Sequence, residues 1–258
     1  SVTSPTSVQV LIQRDVALST GTRNWRLGAW YPGNYPRAVT FDDQRLVFAA
    51  DAANPSVAYL SVVDDFTNFT PTGDSNRAAP FGDVTNEVFE TNGFRLELSA
   101  NQVNTIGWLA SLKVLLEGTS RGLWQIQSSS NLEPLTPVNA HARRASERGG
   151  ASVPPVIVDD AVVFVSQTRR KVFRGAFSLN RESYVVEDLT LLADHLTASG
   201  IRQLAWSPEP MGILWAVTED GRLLGLTLDS QQEIAAWHVH PVGGTDARVE
   251  SVCVITAP

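Results

Sequence analysis

The sequence predicts an all-β protein: a β-propeller or propeller-like array of short antiparallel blades with three to four strands each. Three observations predict it. Short runs rich in Val, Ile, Leu, Phe and Trp alternate with turns carrying Asp, Gly, Pro and Ser, the pattern of hairpins rather than helices. From its second copy on, a run–turn–run–turn–run unit recurs roughly every fifty residues, a period that with several strands per unit points to propeller blades. The runs are also apolar on both alternations, as in VVFV (162–165) and ILWAV (213–217), which is how strands buried on both faces read.

Residues 1–29 form a polar, Ser- and Thr-rich arm, in which VQVLIQ (8–13) is a candidate closing strand. Residues 30–258 form the propeller-like domain. Its first copy is AVTF, DDQ, RLVFAA and VAYLSV (38–62), and its second is TIGWL, ASL, KVLLEGT, SRG and LWQIQ (105–127). The third is PVIV, DDA, VVFVSQ, TRRK and VFRGAF (155–177), and the fourth is QLAW, SPEPMG, ILWAVT, EDGR and LLGLTL (203–228). Fourth strands are expected at SYVVEDL (183–189) and IAAWHVH (234–240), and VESVCVIT (249–256) reads as the start of a fifth copy. In EDGR (219–222) the Asp-Gly pair is the strongest hairpin signal, since both central turn residues favour positive φ. Two stretches break the rhythm and read as insertions: acidic, polar 72–102, and 132–153, which carries AHARRASERGGAS. Long loops of this kind often serve as binding surfaces or subunit contacts. One short helix is expected over 188–199, stopped by Gly200.

The chain has 258 residues, 43% hydrophobic and 18% charged, a globular composition that fits one large all-β domain. Its net charge of −7 argues against a basic nucleic-acid-binding domain, whose affinity comes from Lys and Arg neutralising phosphates. The single cysteine, Cys253, excludes an internal disulfide framework and fits assembly in the cytosol. In its apolar run it reads as a small buried hydrophobe. No run approaches the length of a membrane span. There is no secretory signal pattern and no initiator Met, so the expectation is a processed chain or a piece of a longer polypeptide.

Three acidic pairs, Asp42/Asp43, Asp64/Asp65 and Asp159/Asp160, resemble the paired carboxylates of glycosidases. Two of the pairs fall at the same place in the repeat, between first and second strands, and Asp side chains there bond nearby backbone amides. The pairs are therefore read as turns. His238 and His240, two apart on one strand, would share a face and could hold a metal. With no Cys or acidic partner in the sequence pattern, no metal is assigned to them. His195 reads as a helix-face or cap residue. Phosphate-binding glycine motifs and a nucleophile elbow are absent. Trp108, Trp124, Trp206 and Trp215 fall at repeat positions and read as blade packing rather than a carbohydrate platform. Arg143, Arg144 and Arg148 are the candidate contact to a neighbouring subunit or to phosphate. The expectation is a protein with no catalytic residues, no cofactor and no metal, and not an enzyme.

The ordered set WYPGNYPRAVTFDDQRLVFAA (30–50), YLSVVDDFTNFTP (59–71), QVNTIGWLASLKVLLEGTSRGLWQIQ (102–127), PPVIVDDAVVFVSQTRRKV (154–172), EDLTLLADHLTASGI (187–201) and ILWAVTEDGRLLGLTLDSQQEIAAWHVHPVGG (213–244) resembles the tail nozzle, or hub, proteins of short-tailed phages. These are also known as tail tubular protein B-like or portal-stabilisation proteins. The resemblance runs from about residue 30 to the end of the chain. It implies a structural virion protein, assembled in the host cytoplasm, that forms a hexameric ring below the portal and its adaptor. Such a ring extends the DNA ejection channel and contacts other tail proteins, fibres or a plug, while phage DNA passes without sequence-specific binding. The alternative is a carbohydrate-binding or carbohydrate-active β-propeller.

Overall fold

The computed structural model describes residues 2–4, 7–8, 30–71, 88–99, 104–129, 133–229, 232, 234–244 and 246–255. Among these the chain is all-β, with no helix. A two-stranded pair, β1 (Val2–Ser4) and β2 (Ser7–Val8), comes first. The VQVLIQ segment beyond Val8 lies outside the described residues.

Four antiparallel four-stranded sheets follow in a propeller-like array, each a simple meander in chain order. Blade 1 is β3 (Ala38–Asp42), β4 (Arg45–Ala49), β5 (Val57–Leu60) and β6 (Phe94–Glu97). Blade 2 is β7 (Ile106–Ser111), β8 (Leu115–Thr119), β9 (Gly122–Gln127) and β10 (His141–Ser146). Blade 3 is β11 (Val156–Val158), β12 (Ala161–Val165), β13 (Val172–Ser178) and β14 (Ser183–Asp188). Blade 4 is β15 (Ile201–Ser207), β16 (Ile213–Thr218), β17 (Leu223–Asp229) and β18 (Ile234–His240).

The core is divided between the blades. One apolar cluster joins blades 1 and 2 through Val47, Leu60, Ile106, Leu115, Trp124 and Ile126. A second joins blades 2 and 3 through Trp108, Leu116, Leu123, Phe164, Phe173 and Tyr184. A third joins blades 3 and 4 through Val163, Val165, Leu204, Leu214, Leu224 and Leu226. Successive residues of a strand face opposite sides of its sheet, so Leu115 packs toward blade 1 and Leu116 toward blade 3. That is why the inner runs of blades 2 and 3 are apolar on both alternations, with Glu117, Gln125 and Arg174 among the exceptions. Glycine permits the closest approach: a methyl at Gly118 would lie 1.9 Å from Cε2 of Trp108, so the indole lies flat on the β8 backbone. Among the described residues no apolar cluster joins blade 4 to blade 1.

Five expectations are corrected. The stretches 72–102 and 132–153 contain the fourth strands of blades 1 and 2, β6 and β10, rather than being wholly insertions. No helix forms over 188–199. Instead, turns closed by Ala193 N→Thr190 O, Leu196 N→Ala193 O and Gly200 N→Thr197 O follow one another. Asp188 Oδ1 accepts the Thr190 amide and hydroxyl, and the Thr197 hydroxyl donates to Arg170 O, which fixes the non-helical path. The EDGR turn has positive φ at Gly221 only; the turn with two such residues is Asp43–Gln44, at φ 40 and 63. The described part of the fifth copy forms no strand: Val249 N donates to Gly221 O, and the Gln203 side chain brackets the Val252 peptide. Cys253 is therefore exposed rather than buried.

Candidate functional site

The acidic pairs all lie at turns. Asp43, Asp64 and Asp159 take positive φ, which Asp tolerates better than most residues. Asp65 Oδ1 accepts the Thr67 amide and hydroxyl. Asp42 has a further role that its turn position hid. It is buried, and the Ser111 hydroxyl donates to its Oδ1 at 2.6 Å, tying blade 2 to blade 1. Burial raises its pKa, the Ser111 bond opposes this, and the charge of Asp43 adds to the rise. A small cavity of about 80 Å³ opens beside it, lined also by Lys113, Gln127 and Glu133.

The arginines are not gathered into one cradle. Arg143 stands opposite Gln125, whose Oε1 meets Ser183 of blade 3 at 3.5 Å, while Arg144 stands opposite Trp124 in the core toward blade 1. Neighbours on a strand point to opposite faces, so the two guanidinium groups diverge. Arg144 pairs with Glu147 at 2.9 Å, and Arg148 lies over the Phe173 ring at 4.9 Å, a cation–π contact reaching blade 3. All three are exposed, and among the described residues neither Arg143 nor Arg148 forms an ion pair.

The outer edges of blades 3 and 4 enclose a cleft of about 360 Å³ lined by Arg174, Glu187, Leu189, Leu228, Ile234 and Ala235. Its size suits a small ligand. Arg174 reaches Glu187 at 3.7 Å, and its Nε is buried without a partner. The feature in the sequence was a cation amid apolar residues on β13, but only strand pairing shows what faces it.

On the outer face of blade 4, the register sets Trp215, Gly225 and His238 side by side across three strands, with His240 next along β18. His238 Nδ1 and His240 Nε2 are 2.6 Å apart, and His238 Nε2 lies 3.2 Å from Thr227 Oγ1. Trp215 meets both rings edge-on. Burial, and then the charge of His240, lower the His238 pKa. Among the described residues no group of three or more His, Cys, Asp or Glu is placed to hold a metal. His195 lies exposed in the turn segment.

A further polar group was legible only as a Glu inside an apolar run. Glu117 is fully buried between blades 1 and 2, opposite Leu109 and Trp124, and neither carboxylate oxygen has a partner. Burial alone pushes its pKa up to about 8, so it is held as the neutral acid at pH 7. No tryptophan of the described residues is exposed: Trp108 and Trp124 are buried, while Trp206 and Trp215 are half-buried.

No protein-family model matches the chain, and no curated protein does. A solved structure described as a luciferin-regenerating enzyme is similar at 12% identity and a TM-score of 0.31, covering 81% of this chain and 78% of that one. The expectation of a protein that is not an enzyme is corrected on this finding, because the similar structure is described as one. A likeness this distant assigns no activity to the chain. No helix among the described residues is long and apolar enough to cross a membrane.

Proposed function

We propose that the chain is a structural component of a short-tailed phage tail, part of a nozzle or hub ring around the DNA ejection channel. The ordered set of motifs spanning 30–258 carries this reading. Two features support it. The net charge of −7 suits a wall past which phosphate must slide. Blades 1 and 4 each turn one face away from the array, and blade 1 exposes Val39, Phe41 and Phe66 there, with the last two rings in edge contact. Blade 4 of one copy meeting blade 1 of the next is a heterologous contact, the type that closes into rings. Exposed Arg143 is a polar contact on the rim of such a ring. Its partners are further copies of the chain, the adaptor and other tail proteins.

Native mass spectrometry of the full chain and cryo-electron microscopy of purified particles test the proposal. A closed ring, six-fold on the phage-tail resemblance, is expected, and Phe41→Asp reduces it to smaller species. A strictly monomeric chain that is absent from particles overturns the reading.

A further inference from the structure

The outer face of blade 4 carries a paired-imidazole arrangement that the tail reading leaves unused. The geometry points to a binding site for a divalent first-row transition ion, zinc being the type case, chelated by His238 Nδ1 and His240 Nε2. The two residues stand two apart on β18, so both rings rise from the same face of the sheet. Their ring centroids are 4.8 Å apart, and the two named nitrogens point at each other across 2.6 Å. A tetrahedral ion at about 2.0–2.1 Å from each nitrogen needs them roughly 3.3 Å apart. The rings must therefore part by less than an ångström, and the half-buried His240, at the end of its strand, has room to do so.

Three neighbours make this a prepared site rather than two adjacent histidines. Gly225, directly across from His238, provides the seat: a methyl there would lie 2.2 Å from His238 Cε1. Thr227 Oγ1 engages His238 Nε2. In the tautomer that donates from Nε2, Nδ1 is left bare to ligate, which is the usual part of an outer hydrogen bond to a metal-bound histidine. Trp215, edge-on to both rings, covers one flank of the pair. When the ion enters, the proton that His240 Nε2 shares with His238 moves to His240 Nδ1. Both ligands are then neutral and no net proton is lost. Water fills the remaining positions, as in sites that keep an open coordination position.

Calorimetric titration of the full chain with zinc chloride tests this. Saturable binding of a single ion is expected. His238→Ala and His240→Ala each weaken it by more than about tenfold, and Thr227→Val by about tenfold, the usual effect of losing an outer-shell partner. A His141→Ala/His195→Ala chain binds like the parent. In case a variant misfolds, imidazole NMR of the unaltered chain provides an independent reading: zinc shifts the His238 and His240 resonances and leaves those of His141 and His195. Absence of saturable binding overturns the site, as does binding that survives loss of both His238 and His240, or resonances of the pair that do not move.

Discussion

Glu117 in blade 2 and the His238–His240 pair in blade 4 are both polar interruptions of apolar strands, yet they behave differently because of where their blades sit. Every residue of β8 is buried, and Glu117 stands between Leu109 and Trp124, which belong to the core toward blade 1. With no partner for either oxygen it stays uncharged. The imidazoles of β18 lie on a face with no blade beyond it, bond to each other and to Thr227, and keep access to solvent. The strand pattern is similar; the number of neighbouring blades decides whether a polar group is silenced or left available.

The largest expected effect comes from Glu117→Gln. Folded, the carboxyl holds its proton to about pH 8; unfolded, it releases it near 4.5. Between those values the folded state binds the more protons, so stability falls as pH rises through the window and levels off above it. At about 1.4 kcal/mol per pH unit the full loss is roughly 5 kcal/mol. The neutral amide removes that dependence. Thermal melts should therefore show the variant close to the parent at pH 4.5 and well above it at pH 9. Parallel curves across that range would mean that Glu117 is hydrated, and the contrast between inner and outer blades would weaken.

A matched pair of glycines gives the next effect. Gly118→Ala drives a methyl into the Trp108 ring, which is held between blades 2 and 3 and cannot move aside. The cost is about 1–3 kcal/mol. Gly225→Ala meets the His238 ring almost as closely, but that ring can swing toward solvent. Its cost is under about 1 kcal/mol, partly offset by the stiffer unfolded chain. Denaturant midpoints compare the two directly, and equal losses would break the contrast. Smallest of all is Leu192→Ser, at the tip of the turns after blade 3, where the side chain is 94% exposed. It should shift stability by less than about 0.5 kcal/mol.

These contrasts also explain which parts of the molecule were legible in the sequence. Strands facing two cores are apolar on both alternations, and those of blades 2 and 3 stood out. The outer strands of blades 1 and 2 did not. FRLE and HARRAS are half-exposed or exposed throughout, and they are held by main-chain bonds to β5 and β9. Those bonds leave no mark on side-chain type, and the charges that protect an edge make it look like a loop. The 188–199 segment misled for the opposite reason. Its Leu spacing is helical, but Asp188 and Thr197 commit their side chains to turns. At the candidate sites, residue types were visible while partners were not. Ser111 on Asp42, and Thr227 and Trp215 around His238, meet through strand register and blade packing.

The division of the core into three separate clusters, one between each pair of successive blades, also sets how the fold comes apart. An assembly whose units touch only their neighbours behaves as a one-dimensional chain of coupled elements. Blades 2 and 3 are each gripped twice, blades 1 and 4 once. Opening therefore starts at the ends and travels inward, and main-chain amides of β8 and β12 should be the last to exchange their hydrogens with solvent.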